Sequence, residues 1–510
     1  MKIWTKESLH QLVGERLSEF KFIAVSNREP YIHRYRGSQI ECIQPASGLA
    51  TAIDPIMRAS GGTWVAHGSG VADRAVVDRF DRVQVPPQAP GYTLRRVWLP
   101  ETIERGYYYG LANEGLWPLC HIAFQRPRFH QANWDCYRKA NEIFAAAVLE
   151  EAGSGPAFVF IQDYHLALLP RMLKQQNPNL VVAQFWHIPW PNRETFRAFP
   201  WKQELIDGML GNDVLGFHLS YHCSNFLDTV DRNIEALVDT ERSRVTRGGH
   251  ETSVRAFPIS IDFDRHSQEA ATLADSEVAA WSQLVPRSAE ILGIGIDRID
   301  YTKGILERLD AVDKLLQQHS EYRDRFVFLQ VGVPSRSAIA DYQHLDAQVL
   351  SRVEAINARW KSPDWQPIVF VHRHIDQLAL MALHRMADFC VVSSLHDGMN
   401  LVAKEFVASR TDEDGVLILS RFTGAARELT DALLVNPFAP DEIASAMLEA
   451  IRMPDGERRR RMQRMRSAVA SHNIYRWAGK IVTALDGVLA ARHEYPVVED
   501  GQPIAHAGAA

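Results

Sequence analysis

Short runs that are apolar at every position alternate along the chain with longer stretches whose apolar residues recur every three to four positions. The short runs are rich in β-branched and aromatic residues. Lys21–Val25, Phe158–Gln162, Val181–Trp186 and Val214–Phe217 form one set; Glu290–Ile296, Phe326–Val331, Ile368–Val371, Phe389–Val392 and Val416–Leu419 form a second. A strand that is apolar throughout is covered on both faces, as in a parallel sheet between helical layers. The longer stretches, such as Lys202–Leu210, Ile305–His319, Leu378–Ala387 and Asp441–Arg452, read as amphipathic helices. Such alternation predicts an α/β fold with right-handed crossovers. A polar, charged stretch from Asn233 to Arg287 separates the two sets, and Pro258–Asp262 marks the boundary. The pattern predicts two Rossmann-like, doubly wound domains facing across a cleft, one over residues 1–262 and one over 285–473. Ligands of open α/β sheets bind at the carboxyl ends of the strands, so the cleft is the expected site. A short helix is predicted around Leu9, Leu12, Val13 and Leu17, and a closing helix at Tyr475–Arg492. The small-residue-rich tail, 495–510, is expected to be disordered.

Composition narrows the function classes. With 510 residues, 46% of them apolar, the chain can fill roughly two to four cores. A net charge of -6 gives no reason to expect a nucleic-acid or membrane-surface partner, so any cations that bind an anion must be local. The five cysteines, Cys42, Cys120, Cys136, Cys223 and Cys390, are scattered without CxxC spacing. That excludes a disulfide framework or zinc site as the default and points to a reducing compartment. The first twenty residues lack the apolar core of a secretory signal, and no run of about 18 apolar residues occurs. The expected location is cytoplasmic, and the N-terminal helix could serve a homo-oligomer interface.

The chemistry-bearing segments sit at predicted strand ends. In Gly295-Ile-Asp-Arg-Ile-Asp-Tyr-Thr-Lys-Gly304 a strand is followed by two cations, Arg298 and Lys303, and Gly304 opens a helix. Two cations beside a helix N-terminus suit a diphosphate. In Ser394-Leu-His-Asp-Gly-Met-Asn-Leu-Val-Ala-Lys-Glu405 a turn at Asp397-Gly398 leads into a helix, whose first N–H groups can meet phosphate or sugar oxygens. Asp397 and Glu405 can accept from sugar and ribose hydroxyls. Asp163 and His165 end one apolar strand and His187 another, a pairing that suits acid–base work, sugar recognition or simple structural bonding. Metal binding is disfavoured, because no spaced set of three ligands is visible. Arg28 follows the first strand, Ser47-Gly48 could let a backbone N–H approach a phosphate, and Arg336 follows the strand Phe326–Val331. Tyr108 and Trp117 add aromatic faces for a pyranose ring. Each segment alone also fits an ordinary capped turn or surface loop. The run Arg458–Arg461 reads as a solvated helix face, and His222-Cys223 as structural. Neither a P-loop nor a well-placed GxGxxG is present.

Taken in order, VSNREP, GGTW, LWPLCH, QDYH, WHIPWP, GIDRIDYTKG, VPSR and HDGMNLVAKE resemble the trehalose-6-phosphate synthases, a retaining GT-B glucosyltransferase family, from about Phe22 to Ala484. The resemblance implies a nucleotide-glucose donor, UDP-glucose in the first place, and glucose 6-phosphate as acceptor, yielding α,α-trehalose 6-phosphate. It implies no cofactor and no metal, the nucleotide-sugar being a substrate. On the donor side it assigns Gly48, Arg298, Lys303, Ile375, Asp397, Gly398, Met399, Asn400, Leu401, Val402, Ala403, Lys404 and Glu405, with His187 beside the transferred glucose. On the acceptor side it assigns Arg28, Tyr108, Trp117, Asp163 and Arg336. The catalytic set it implies is Arg298, Lys303, Asp163 and His187. It also implies that residues 474–494 form a helix returning to the first, acceptor-binding domain, and that 285–473 bind the nucleotide-sugar. Two places depart from the pattern. Ser47-Gly48-Leu49 stands where the family reads Gly-Gly-Leu. Arg28-Glu29-Pro30-Tyr31 looks more like glucosylglycerol-phosphate synthase, which uses ADP-glucose and glycerol 3-phosphate. That enzyme, and a non-catalytic sugar-phosphate-binding relative, are the alternative readings.

Overall fold

The computed structural model describes residues 3–17, 19–44 and 48–494. Its strands are β1 Lys21–Ser26, β2 Ile32–Arg36, β3 Gln39–Ile43, β4 Thr63–His67, β5 Arg82–Val85, β6 Tyr92–Val97, β7 Ala157–Gln162, β8 Val181–Phe185 and β9 Val214–Phe217. They continue as β10 Leu237–Asp239, β11 Arg244–Arg247, β12 His250–Ala256, β13 Ile291–Arg298, β14 Phe326–Val333, β15 Ile368–Val371, β16 Phe389–Val392, β17 Val416–Ser420 and β18 Leu433–Val435. One sheet runs β10-β11-β12-β9-β8-β7-β1-β4-β6-β5, the other β15-β14-β13-β16-β17-β18, and β2 pairs with β3 as a separate hairpin. Every strand read from the apolar runs is present. β7, β9, β15, β16 and β17 are buried at every position or nearly so, as coverage on both faces requires. The second sheet is parallel throughout. The first is parallel at its centre and closes with antiparallel edges, β5 on β6 and β10 on β11 on β12.

The stretch from Asn233 to Arg287 is therefore more than a separator. It carries β10 to β12 and the helices Phe263–Ala271 and Asp275–Ser282. β10 is the edge of the sheet and β11 lies beside it, and strands at or near an edge bury less and tolerate charge, which hid this end of the sheet in a polar sequence. Leu237 is exposed, and Arg244 pairs with Glu251 across two strands at 2.8 Å. After β12 the chain crosses to the second lobe at Phe257–Asp262. It returns where the Ile474 N–H donates to the Ile261 carbonyl at 3.0 Å. The closing helix, Ile474–Glu494, lies against the first lobe. Asn473 donates to the Trp4 carbonyl, Arg16 pairs with Asp486 at 3.0 Å, and the rings of Trp477 and Phe160 are 6.0 Å apart.

The second sheet is pinned to its first helix by one side chain. Arg308, on helix Ile305–Gln318, is fully buried and donates to Asp297 Oδ2 at 2.7 Å, Ser393 Oγ at 3.0 Å and Gln330 Oε1 at 3.1 Å. Those acceptors lie on or just beyond β13, β16 and β14. Gly295 makes room for the guanidinium, since a Cβ there would meet Arg308 Nη1 at 2.3 Å. Arg308→Met would leave Asp297 as a buried, unpaired carboxylate, and losing one member of such a pair costs about 3–5 kcal/mol. Urea unfolding should report a loss of that order; a change below about 1 kcal/mol would remove Arg308 from this role.

Candidate active site

The second lobe supplies cations from strand ends. Asp300 caps the turn Tyr301–Lys303, accepting from the Thr302 N–H at 3.0 Å. Gly304 then adopts φ +62°, and a Cβ there would lie 2.1 Å from the Ser393 carbonyl oxygen, so only glycine fits the turn into the helix. The turn aims Lys303 at Asp397, Nζ to Oδ2 at 2.6 Å. Asp397 also accepts from Asn400 Nδ2 at 3.2 Å and Ser394 Oγ at 3.4 Å. Burial works to raise its carboxyl, but Lys303 and Asn400 outweigh this and hold it well below the carboxylate range. Asn400 caps helix Leu401–Ser409 by accepting from the Ala403 N–H at 3.1 Å. The first N–H groups of that helix face its open N-terminus, a ready site for anionic oxygen. Glu405, half-buried one turn further on, has no partner for its carboxyl among the described residues, and burial raises it to about 7. Ile375 is buried before helix Gln377–Met386.

The first lobe supplies the opposite wall. Arg28, after β1, donates to Tyr108 Oη at 3.0 Å. Tyr108 lies on a segment wound as a π-helix, Arg105–Leu116, and stacks on His165 with ring centres 5.5 Å apart. Burial would raise its phenol, yet Arg28, Arg336 and Arg298 bring it down to about 8. Asp163, at φ +69°, accepts from the Tyr164 N–H at 3.0 Å and the His187 N–H at 3.3 Å. Burial raises its carboxyl to about 7, offset in part by those N–H groups and by Arg336 and Arg28. His187 Nε2 lies 2.9 Å from Gln162 Oε1; an amide oxygen only accepts, so Nδ1 is left as the acceptor. Burial, then His165, lower the His187 ring to about 3, so it is neutral near pH 7.

Trp117 joins the walls. Its Nε1–H donates to Asp300 Oδ1 at 3.4 Å, and the guanidiniums of Arg336 and Arg298 lie 4.0 and 5.8 Å from its ring centre. Arg336 donates to Asp300 Oδ2 at 3.1 Å and to the Tyr342 hydroxyl, while its buried Nε has no partner. Arg28 and Arg298 pair with no carboxylate among the described residues. The cleft thus holds three guanidiniums, of which only Arg336 pairs with a carboxylate, and is poised for an anion. The lobes also meet at Gly398, where a Cβ would lie 2.5 Å from the His187 carbonyl oxygen, and where His396 donates to the His121 carbonyl at 2.8 Å.

Most residues singled out in the sequence therefore converge. Lys404 points elsewhere: its ammonium is buried against Glu428 Oε2 at 2.6 Å and the Ile259 carbonyl at 2.8 Å. Gly48 opens helix Gly48–Ser60, but Ser47 and the tail 495–510 lie outside the described residues. Sequence reasoning missed Asp300 and Tyr342. Asp300 stood inside the quoted RIDYTKG segment, and its place between two cations was the available signal. Among the described residues no group of three or more His, Cys, Asp or Glu side chains could hold a metal ion, and no helix is long and apolar enough to cross a membrane.

Two doubly wound sheets facing across such a cleft are the GT-B architecture of glycosyltransferases. The family model for Glycosyltransferase family 20 matches residues 20–487, and the chain belongs to that family. It is 38% identical over 476 residues to the trehalose-6-phosphate synthase of Mycolicibacterium vanbaalenii, covering 91% of this chain and 95% of that one. It is 36% identical over 488 residues to the bifunctional trehalose-6-phosphate synthase/phosphatase of Thermoproteus tenax. There the match covers 93% of this chain but 64% of that protein's length. Among solved structures it resembles "trehalose-6-phosphate from E. coli bound with UDP-2-fluoro glucose", with TM-score 0.82, 29% identity, and coverage of 91% of this chain and 99% of that one. The alpha,alpha-trehalose-phosphate synthase (UDP-forming) from Burkholderia xenovorans in complex with glucose-6-phosphate is equally similar. Its TM-score is 0.82 at 29% identity, covering 92% and 100%.

The raised Asp163 carboxyl ties stability to pH. Its ordinary value in an unfolded chain is about 3.9. Between about pH 4 and pH 7 the folded chain keeps a proton that the unfolded chain has lost, so raising pH across that window weakens the fold. Asp163→Asn removes this titration while keeping an oxygen for both N–H groups. In thermal unfolding the variant should gain on the parent as pH rises from 4 to 8; a pH-independent gap would contradict the assignment.

Proposed function

We propose that this glycosyltransferase moves glucose from UDP-glucose to glucose 6-phosphate with retention, giving α,α-trehalose 6-phosphate. The observation that carries the reading is the set of cations in the cleft: Arg298 and Arg336 both lie over the Trp117 ring, Lys303 follows Arg298 in the same loop, and Arg28 bonds Tyr108. Arg298 with Lys303 suits a diphosphate, and Arg28 with Arg336 a sugar phosphate. The solved relatives bound with UDP-2-fluoro glucose and with glucose-6-phosphate support the same division.

In this scheme the diphosphate lies over the N-terminus of helix Leu401–Ser409, beside Arg298 and Lys303. Glu405 accepts from the ribose hydroxyls, and Ile375 lies beside the base. Asp397 and the free Nδ1 of His187 hold glucose hydroxyls. Arg28 and Arg336 bind the acceptor phosphate, Tyr108 and Trp117 flank it, and Asp163 takes an acceptor hydroxyl. The acceptor's anomeric hydroxyl attacks glucose C1 on the face the diphosphate leaves. The C1–O bond to phosphate breaks, the new C1–O bond forms, and the hydroxyl proton passes to an oxygen of the departing diphosphate. Arg298 and Lys303 stabilise the charge that develops there. The departing motif Glu29-Pro30-Tyr31 does not argue for another acceptor. Glu29 is buried against Arg96 Nε at 2.8 Å and the Ser69 N–H at 2.8 Å, and Tyr31 accepts from Arg58.

Arg298→Ala should lower kcat about 10²–10³-fold, the usual cost of losing one oxyanion donor, with an unchanged circular dichroism spectrum. Unchanged turnover would remove Arg298 from the diphosphate site. Assayed with UDP- or ADP-glucose against glucose 6-phosphate or glycerol 3-phosphate, nucleotide release should be fastest with UDP-glucose and glucose 6-phosphate. Faster release with glycerol 3-phosphate would overturn the acceptor.

A further inference from the structure

The two crossovers between the lobes border a partly open cavity of about 30 Å³ that the proposed reaction does not use. Its lining includes Pro258 on the outward crossover, Glu428 on the second lobe, and Asn473, Arg476, Trp477 and Lys480 on the return. A single water needs roughly 10–15 Å³, so the space takes two waters or one small tetrahedral oxyanion.

Four features give this cavity the character of an anion site. Arg476 Nη1 and Trp477 Nε1 are buried donors without a hydrogen-bond partner, and Trp477 as a whole is only 1% exposed. Buried donors left unmade are rare and costly, and two on adjacent residues lining one space point to a missing acceptor. Arg476 and Lys480 form no ion pair among the described residues, and burial and then Arg476 disfavour the charged form of Lys480 more than Glu428 favours it. The one carboxylate at the cavity, Glu428, is already held by Lys404 at 2.6 Å. Finally, the cavity lies at the N-terminus of the 21-residue helix Ile474–Glu494, where Asn473 Oδ1 accepts from the Arg476 N–H at 3.1 Å. That end of a helix carries partial positive charge.

We infer that this hinge cavity binds one free oxyanion of the phosphate or sulfate class, held by Arg476, Lys480 and the Trp477 N–H. The anion would lie beside Glu428, whose partner Lys404 also donates to the Ile259 carbonyl of the outward crossover. It would thereby join both strands of the hinge and stiffen the pivot between the lobes.

Equilibrium dialysis of the whole protein against radiolabelled inorganic phosphate tests this. The parent should bind one more phosphate per chain than either Arg476→Gln or Lys480→Gln, and unlabelled sulfate should compete for it. Lys480 is exposed, so its variant carries the test even if Arg476→Gln does not fold. Arg336→Gln, which alters the cleft instead, should retain this phosphate. Diffraction from crystals grown with selenate should place an anomalous peak within hydrogen-bond reach of Arg476 Nη1 and Trp477 Nε1. Equal stoichiometry in the parent and both hinge variants, or ordered water alone in the cavity, would overturn the proposal.

Discussion

The Lys303–Asp397 ion pair organises the second lobe. It joins the loop after β13 to the loop after β16 at 2.6 Å, in a setting where neither charge could stand alone. The neighbouring geometry follows from it. Gly304 must be glycine to turn Lys303 toward the pair, and Asn400 bonds Asp397 while capping the helix beneath. The main chain of Asp397 is fixed as well, through its N–H to the Phe422 carbonyl and its carbonyl to the Gly424 N–H. The helix N-terminus that would receive a diphosphate is therefore set before any ligand arrives. Preorganised charge of this kind needs little rearrangement during reaction, which is where electrostatic catalysis gains most.

The same loop reaches across the cleft. Asp300 stands two residues after Arg298 and three before Lys303, and it bonds Trp117 of the first lobe and Arg336 of the second. The short segment that carries both donor-side cations is thus bonded, through Asp300, to the acceptor-side Arg336. In the proposed reaction a sugar phosphate pairing with Arg336 would compete with Asp300 and so act on the segment that carries Arg298 and Lys303. This gives a physical route by which acceptor binding can adjust the donor site.

Much of this was legible in the sequence, because buried parallel strands betray themselves by being apolar at every residue. β9, β15 and β16 match their sequence-read bounds, and Arg298, Asp163, His187 and Asp397 stand at or just beyond the ends of β13, β7, β8 and β16. What escaped had no such signature. The strands β10 to β12, an antiparallel extension with β10 at its edge, are polar because much of their surface meets solvent or other polar groups. The π-helix that positions Tyr108 differs from an α-helix only in hydrogen-bond register, which periodicity does not resolve. Lys404 looked like part of a binding motif, yet its partners, Glu428 and Ile259, are far away in sequence. Tyr342 was missed for the same reason: it meets Asp300 and Arg336 only after the helix Ala340–Trp360 has packed.

The central claim is a transfer between two phosphorylated substrates in one cleft, with the new bond on the face the diphosphate leaves. The most direct measurement is proton NMR of the product formed from UDP-glucose and glucose 6-phosphate. The account predicts a single 1,1-linked disaccharide phosphate with the small anomeric couplings of an α,α linkage, formed in step with UDP. A β-configured glucose, or UDP release accompanied only by free glucose, would contradict it.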